Sequence, residues 1–294
     1  MSLKKSLLST LLASLTLVSV AACNGGQSQL EQLPSENVSA PVEEGVGIAS
    51  TGATYKLNFD YKKVEKNSIT YSKKNSLSTK KADLRNIASP VGDQGKLGSC
   101  TAFSMVKGVR EAWLNKQGQT ATQLSPLYFY YKERELDGSI DQDRGSTITT
   151  GMQVLQETGT TTEALWPYDI AKFAVAPSAA ADAAAGQYKM KSATKIKTFD
   201  EFKAALDAGY PIAFGFRVYE SFMKSKGGVI PMPNTQTEKL LGGHAVAAFG
   251  YDDAKEVVIV RNSWSAKWGD GGYCYMPYGY FSSGLVRDVW VAKN

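Results

Sequence analysis

Three cysteines and a single histidine are all that 294 residues contain. A scaffold stapled by several disulfides is therefore excluded. No C-x-x-C or other metal-ligand spacing occurs, so no metal site is expected and no cofactor is implied. An excess of charge of one sign is missing as well. From residue 82 onward 23 Lys/Arg stand against 22 Asp/Glu, which excludes a nucleic-acid-binding face. Long apolar runs are confined to residues 7–22, too short to span a membrane comfortably. What remains is a hydrophobic content of 43% and an aromatic content of 11%, the composition of a globular chain long enough for one large or two small domains.

The N-terminal region does not read as part of that fold. Lys4-Lys5 precede the apolar stretch, which ends Val20-Ala21-Ala22-Cys23. This resembles the lipobox of bacterial lipoproteins, in which residues 1–22 are a signal peptide and Cys23 becomes the lipidated N-terminus. Asn24 resembles the sorting signal for the outer membrane, so the resemblance implies an exported lipoprotein at the outer membrane or cell surface, or on a periplasmic face. One lipid would hold it to a membrane without a transmembrane helix. Residues 23–81 read as a tether and candidate pro-segment. Residues 24–53 are rich in Ser, Gly, Pro and Gln, with four Glu and no Lys or Arg, the mark of a solvated linker. Residues 54–81 carry eight Lys against Asp60 and Glu65, and Tyr55, Leu57, Phe59 and Tyr61 alternate with polar residues as in a short strand. That strand is either an extra one packed on the domain or part of an inhibitory segment removed on activation.

The remaining chain, 82–294, changes character half-way. Residues 82–190 are mainly helical in pattern. Phe103, Val106, Val109 and Trp113 recur at helical spacing after Cys100, and Gly118 ends the run. Ser125-Pro126 reads as an N-cap with proline at the first helical position, and a further helix fits residues 150–157. The alanine-rich residues 171–186 fit a helix or a loop. Residues 191–294 are mainly strand-like: a Thr198-x-x-Glu201 capping box opens one helix, then residues 212–218, 244–250, 257–261 and 272–276 read as strands. Helices first and strands later imply an α+β fold of two lobes with a site in the cleft between them.

Three stretches carry chemistry. Cys100 starts a helix, where unpaired backbone N–H groups and the helix dipole favour a thiolate. Six residues upstream, Gln94 lies in a glycine-flanked turn where its amide is free to face a reacting carbonyl. His244 follows Gly242-Gly243, glycines that let another chain approach, and begins an apolar strand facing a cleft. Asn262 ends a β-branched strand beside Trp264 and Trp268; it can fix an imidazole tautomer while an indole excludes water.

Together these stretches resemble the papain-like cysteine peptidases. The pattern Q-G-x-C-G-S-C-W-A-F is matched from Gln94 to Phe103, the histidine motif by Gly243-His244-Ala245-Val246, and N-S-W-G-x-x-W-G-x-x-G-Y from Asn262 to Tyr273 with Ser265 in place of a glycine. His244 lies 144 residues after Cys100, within the interval of roughly 130–150 found in the family; Asn262 lies slightly past it. The resemblance implies a papain-like two-lobe fold, no cofactor, and hydrolysis of peptide bonds in protein or peptide substrates by a monomer. Cys100 would be the nucleophile, His244 the acid–base, Asn262 its orienter, and Gln94 with the Cys100 N–H the oxyanion donors. Gly145 and Ser146 would occupy the family's Gly-Gly substrate segment, with Gly243 and Trp264 also lining the substrate. Leu97 replaces a disulfide cysteine and Thr101 replaces a tryptophan, so packing rather than a disulfide must hold the helical lobe. Cys274 is expected to be a structural strand residue rather than the partner of Cys100. Two other readings keep the fold: an inactive peptide-binding lipoprotein, and an acyl transferase using the same triad.

Overall fold

The computed structural model describes residues 45–61, 64, 69, 80–120 and 122–294. Cys23 and the signal and linker residues before 45 lie outside them. Part of the stretch read as linker is structured: β1 (Gly45–Ile48) pairs antiparallel with β2 (Thr54–Leu57), Val46 opposite Lys56. Gly47 and Tyr55 face each other in this hairpin, and the alternating burial of Tyr55 and Leu57 is what the sequence pattern anticipated.

A sheet of seven strands forms the second half. β3 (Lys81–Asp83), β4 (Ser192–Lys195), β5 (Ile212–Tyr219), β6 (Leu240–Asp252), β7 (Val257–Arg261), β8 (Tyr273–Pro277) and β9 (Val286–Lys293) run in the order β4-β9-β5-β6-β7-β8, with β3 on β6. Residue alternation divides its faces. Phe214, Phe216 and Val218 of β5 and Val246 and Ala248 of β6 enter an aromatic core with Phe199, Phe202, Tyr278 and Phe281. Ala213 and Ala245 look the other way, toward the helices. Cys274 pairs opposite Val260 on β8, buried, and is a free thiol, as is Cys100.

The helical half is built around one rod. Helix α1 (Cys100–Ala102) continues through a π-helical stretch, Phe103–Arg110, into α2 (Glu111–Lys116). Gly108 lets the rod touch β6: a Cβ there would lie 2.5 Å from that of Ala247. Ser104 Oγ donates to the Val246 carbonyl at 2.7 Å, fixing the height of the rod on the sheet. Helix α3 (Pro126–Leu136) begins as read, with Tyr128 N–H donating to Ser125 Oγ at 3.1 Å. Helix α4 (Ile148–Glu157) starts two residues earlier than the reading, because Thr147 caps it by accepting from Thr150 N–H at 2.9 Å. The alanine-rich stretch yields α5 (Ala179–Ala185), and the Thr198–Glu201 capping box opens α6 (Phe199–Asp207). Short α7 (Glu220–Met223) and α8 (Gly279–Ser282) complete the chain.

Candidate active site

Each catalytic candidate is fixed by a different element. The β5–β6 register sets Phe216 opposite His244, so the imidazole lies on the aromatic face of the sheet. Its ring packs on Trp264 at 4.8 Å and 27°. Nε2 is 2.7 Å from Asn262 Oδ1. Ser263 N–H donates to the same Oδ1 at 2.8 Å, so that atom is an acceptor. Nε2 therefore carries the proton and Nδ1 is the free base. Nδ1 makes no hydrogen bond within the described residues. The Cys100 thiol accepts from the backbone N–H of Ala245, the residue next to His244, which brings the helix start to the histidine strand.

Gln94 is not free, as the sequence had suggested. Its backbone N–H donates to the Ser263 carbonyl at 2.9 Å, and its Oε1 accepts from Ser263 Oγ at 2.6 Å. One amide hydrogen goes to the Leu97 carbonyl at 3.0 Å. With Ser265 N–H donating to the Gly92 carbonyl at 3.0 Å, the turn before Cys100 is zipped onto the loop after Asn262. Ser265 stands in the left-handed region at φ 63°, which is why a glycine is the easier choice there; its Oγ accepts from Lys267 N–H at 3.2 Å. Tyr168, which sequence reasoning passed over, completes the turn: its hydroxyl donates to the Gln94 carbonyl at 2.9 Å and lies 2.6 Å from Ser99 Oγ.

Two substitutions noted in the sequence acquire physical roles. Leu97 removes a cysteine, yet the loop leading to Gly145 is still tied to the nucleophile turn. Asp143 accepts from Gly98 N–H at 3.0 Å and from the Tyr130 hydroxyl at 2.6 Å. Thr101 is fully buried and donates to Glu133 Oε2 at 2.7 Å. Burial raises the Glu133 carboxyl well above its usual range.

The four residues read as substrate-lining all meet residues 54–61 of the chain itself. Tyr55 stacks on Trp264 at 4.6 Å and 9°. A Cβ on Gly145, whose φ is 76°, would lie 1.9 Å from the Asn58 carbonyl oxygen. Phe59 N–H donates to the Gly243 carbonyl at 3.1 Å, and Asp60 N–H to that of Ser146 at 3.1 Å. Asn58 Nδ2 donates to the Asp143 carbonyl at 2.7 Å, and Lys56 Nζ lies 2.8 Å from Asp143 Oδ2. The segment thus lies along Gly243 and Gly145–Ser146, with Asn58 forming a single parallel β-bridge to Gly243. Cys100 and His244 are both 0% exposed.

Burial shifts the protonation equilibria of both groups. Desolvation pushes the Cys100 thiol from 9.0 up to about 12, despite the favourable N–H groups of Ala245 and Thr101. Burial lowers His244 from 6.5 to about 4, against the opposing hydrogen bond to Asn262. Loss of water thus opposes the helix-start effect on the thiol expected from the sequence. In this closed arrangement the pair is a neutral thiol and a neutral imidazole.

The chain is similar to known proteins over most of its length. Residues 78–291 match the papain family cysteine protease profile. The chain is 37% identical over 256 residues to an uncharacterized peptidase C1-like protein of Acanthamoeba polyphaga mimivirus, covering 81% of this chain and 82% of that one. It is 34% identical to the cathepsin B-like CP3 of Giardia intestinalis, over 62% of each chain. Among solved structures it resembles xylellain, a cysteine protease from Xylella fastidiosa, with a TM-score of 0.70 and 32% identity over 81% of this chain and 96% of that one.

Proposed function

The chain belongs to the papain family of cysteine proteases, and on that premise we propose that it is a peptide-bond hydrolase held latent by its own residues 54–61. The observation that carries this reading is the path of that segment: it touches Gly145, Ser146, Gly243 and Trp264 and seals Cys100 and His244 from water. Activity follows its displacement or cleavage. Once water returns, the thiol proton passes to His244 Nδ1, and the thiolate attacks the substrate carbonyl carbon. The oxyanion is met by the Cys100 backbone N–H and by the second hydrogen of the Gln94 amide, whose position Ser263 and Leu97 fix. His244 then gives its proton to the departing amine nitrogen, leaving a thioester. Water attacks that thioester while His244 takes its proton, and the acid product leaves with the thiol restored. Asn262 keeps the imidazole in one tautomer throughout.

Lipidation of Cys23 would place this peptidase on a membrane surface of an exporting bacterium; no helix among the described residues is long and apolar enough to cross one. On this reading it acts as a monomer, cleaving within protein or peptide chains.

Incubation of the full chain with an epoxysuccinyl thiol-protease inhibitor, followed by intact-mass and peptide mapping, tests the reading. Slow addition of one inhibitor at Cys100, accelerated in a Phe59→Ala variant, is expected. Rapid labelling of Cys274, or none at Cys100 in either protein, overturns it. Adding an amine nucleophile during peptide cleavage separates hydrolysis from acyl transfer, since hydrolysis leaves only the free acid.

A further inference from the structure

A cavity lies away from the catalytic residues, at the other end of the helical rod. Cys100 opens the rod and Arg110 follows roughly 15 Å further along, at 1.5 Å per residue. There Arg110 and Trp113 of the rod, with Gln187, Tyr188 and Lys191 after α5, line a space of about 610 Å³, a volume in the range of small-ligand sites. Arg110 is only 4% exposed. Its Nε donates to the Tyr188 carbonyl at 2.8 Å, and its guanidinium stands 5.9 Å from the centre of the Tyr188 ring. Nη1 has no hydrogen-bond partner among the described residues. No carboxylate side chain lines the cavity, and burial lowers the pKa of the guanidinium from its ordinary value. A buried cation without a counter-charge costs stability. The end of α2 does not supply the negative partner, because backbone caps its last carbonyls. Those of Trp113 and Leu114 accept from the N–H groups of Gln117 at 3.2 Å and Gln119 at 2.9 Å, and that of Asn115 from Gly118 at 2.9 Å.

We propose that this cavity is a binding site, separate from the cleft, for the C-terminal carboxylate of a peptide, with Arg110 holding the carboxylate and Lys191 at the rim. The free edge of a guanidinium is a planar fork that matches a carboxylate. Lys191, exposed at the rim, adds a second positive charge. The side-chain amides of Gln119 and Gln187 each offer donors and an acceptor, the complement of a peptide backbone unit. The rings of Trp113 and Tyr188 suit an aromatic side chain on the last residue of the ligand. Every cut peptide bond creates such a carboxylate, so on the hydrolase reading the site would hold a cleaved product. The binding itself does not depend on that reading.

The test is isothermal titration calorimetry of the full chain carrying Cys100→Ala, so that no ligand is cut. The probes are the N-acetylated tripeptide Ala-Ala-Phe as the free acid and as its C-terminal amide. The acid is expected to bind one to one and at least about tenfold more tightly than the amide. Arg110→Gln in the same background keeps a donor for the Tyr188 carbonyl, and is expected to reduce the acid to the affinity of the amide. Lys191→Glu lies on the exposed rim, where folding is not at risk, and is expected to weaken the acid by about fivefold. No binding, equal binding of acid and amide, or acid binding unchanged in Lys191→Glu and in folded Arg110→Gln, overturns the site. Displacement of the peptide by inorganic phosphate at a lower concentration than the peptide itself requires overturns the choice of a carboxylate. The calorimetry involves no turnover, so its failure and a failure of the hydrolase reading are separate results.

Discussion

His244 illustrates how one residue's behaviour is decided by its neighbours. Its Nε2 is held by Asn262 Oδ1, its ring is covered by Trp264, and its base nitrogen Nδ1 has no hydrogen-bond partner among the described residues. Replacement of either Cys100 or His244 by Ala should lower kcat/KM by at least about 10³-fold, because each removes a covalent or proton-transfer step. Gln94→Ala should cost about 10²–10³-fold with little change in KM, the signature of a lost oxyanion donor. Steady-state kinetics on one quenched peptide checks all three. Asp143→Ala removes a charged acceptor shared by Gly98 N–H and the Tyr130 hydroxyl. It should lower stability by about 1–3 kcal/mol, seen as a reduced midpoint in thermal denaturation. Cys100, His244, Asn262 and Gln94 stood out in the sequence as candidates because the proposed chemistry needs rare residue types in a fixed local pattern. Ser263, Tyr168 and Asp143 were not, since each acts through a contact spanning from 45 to 169 positions.

At the level of elements, local signals predicted well what local physics controls. The Ser125-Pro126 start, the Thr198–Glu201 box and the β-branched run of β7 all formed within a residue or two of where the pattern placed them. Strand β9 escaped notice because Arg287 and Asp288 interrupt its alternation; Asp288 lies at φ 53°, beside the point where the β5 pairing shifts register. β1 escaped because its composition is that of a linker and its pairing with β2 supplies the order. The helix rod shows a second limit: helical periodicity predicted its extent but not the π-helical stretch over Phe103–Arg110, where Gly108 meets Ala247. The cleft segment is where element and function meet. Burying a phenylalanine contributes about 1.5–3 kcal/mol, so Phe59→Ala should weaken the cover. The initial rate of peptide cleavage by the full chain is expected to rise by roughly 10- to 100-fold; an unchanged rate would show that the segment does not restrain the site.

At the scale of the whole molecule, the latent-peptidase reading implies that opening of the cover is coupled to proton uptake. His244 titrates near 4 when covered, against an ordinary 6.5, so the covered form binds fewer protons than an open one. As pH falls from about 6.5 toward 4, the open form is therefore favoured. Cys100 is displaced the other way, to about 12 from 9.0, so the cover also weakens as pH rises above about 9. The closed state should be most favoured between these limits, and the alkylation rate of Cys100, divided by that of a free thiol at each pH, should show a minimum there. A flat ratio from pH 4 to 9 would contradict the coupling. The nearly neutral charge balance of the folded body places no large field over this equilibrium. The two-lobed α+β architecture was legible at this scale from the change of periodicity near the middle of the chain. The occupation of the cleft was open, because a short alternating stretch fits an extra strand and an inhibitory one equally well.

The central claim, that Cys100 is the nucleophile of a peptidase, is tested most directly by cleavage of an unstructured protein by the wild-type chain and by Cys100→Ala, matched by circular dichroism. Wild type is expected to release new amino and carboxyl termini after its segment is displaced at acid pH, and Cys100→Ala to release none above background. Equal cleavage by both, or none by wild type at any pH from 4 to 9, would contradict it.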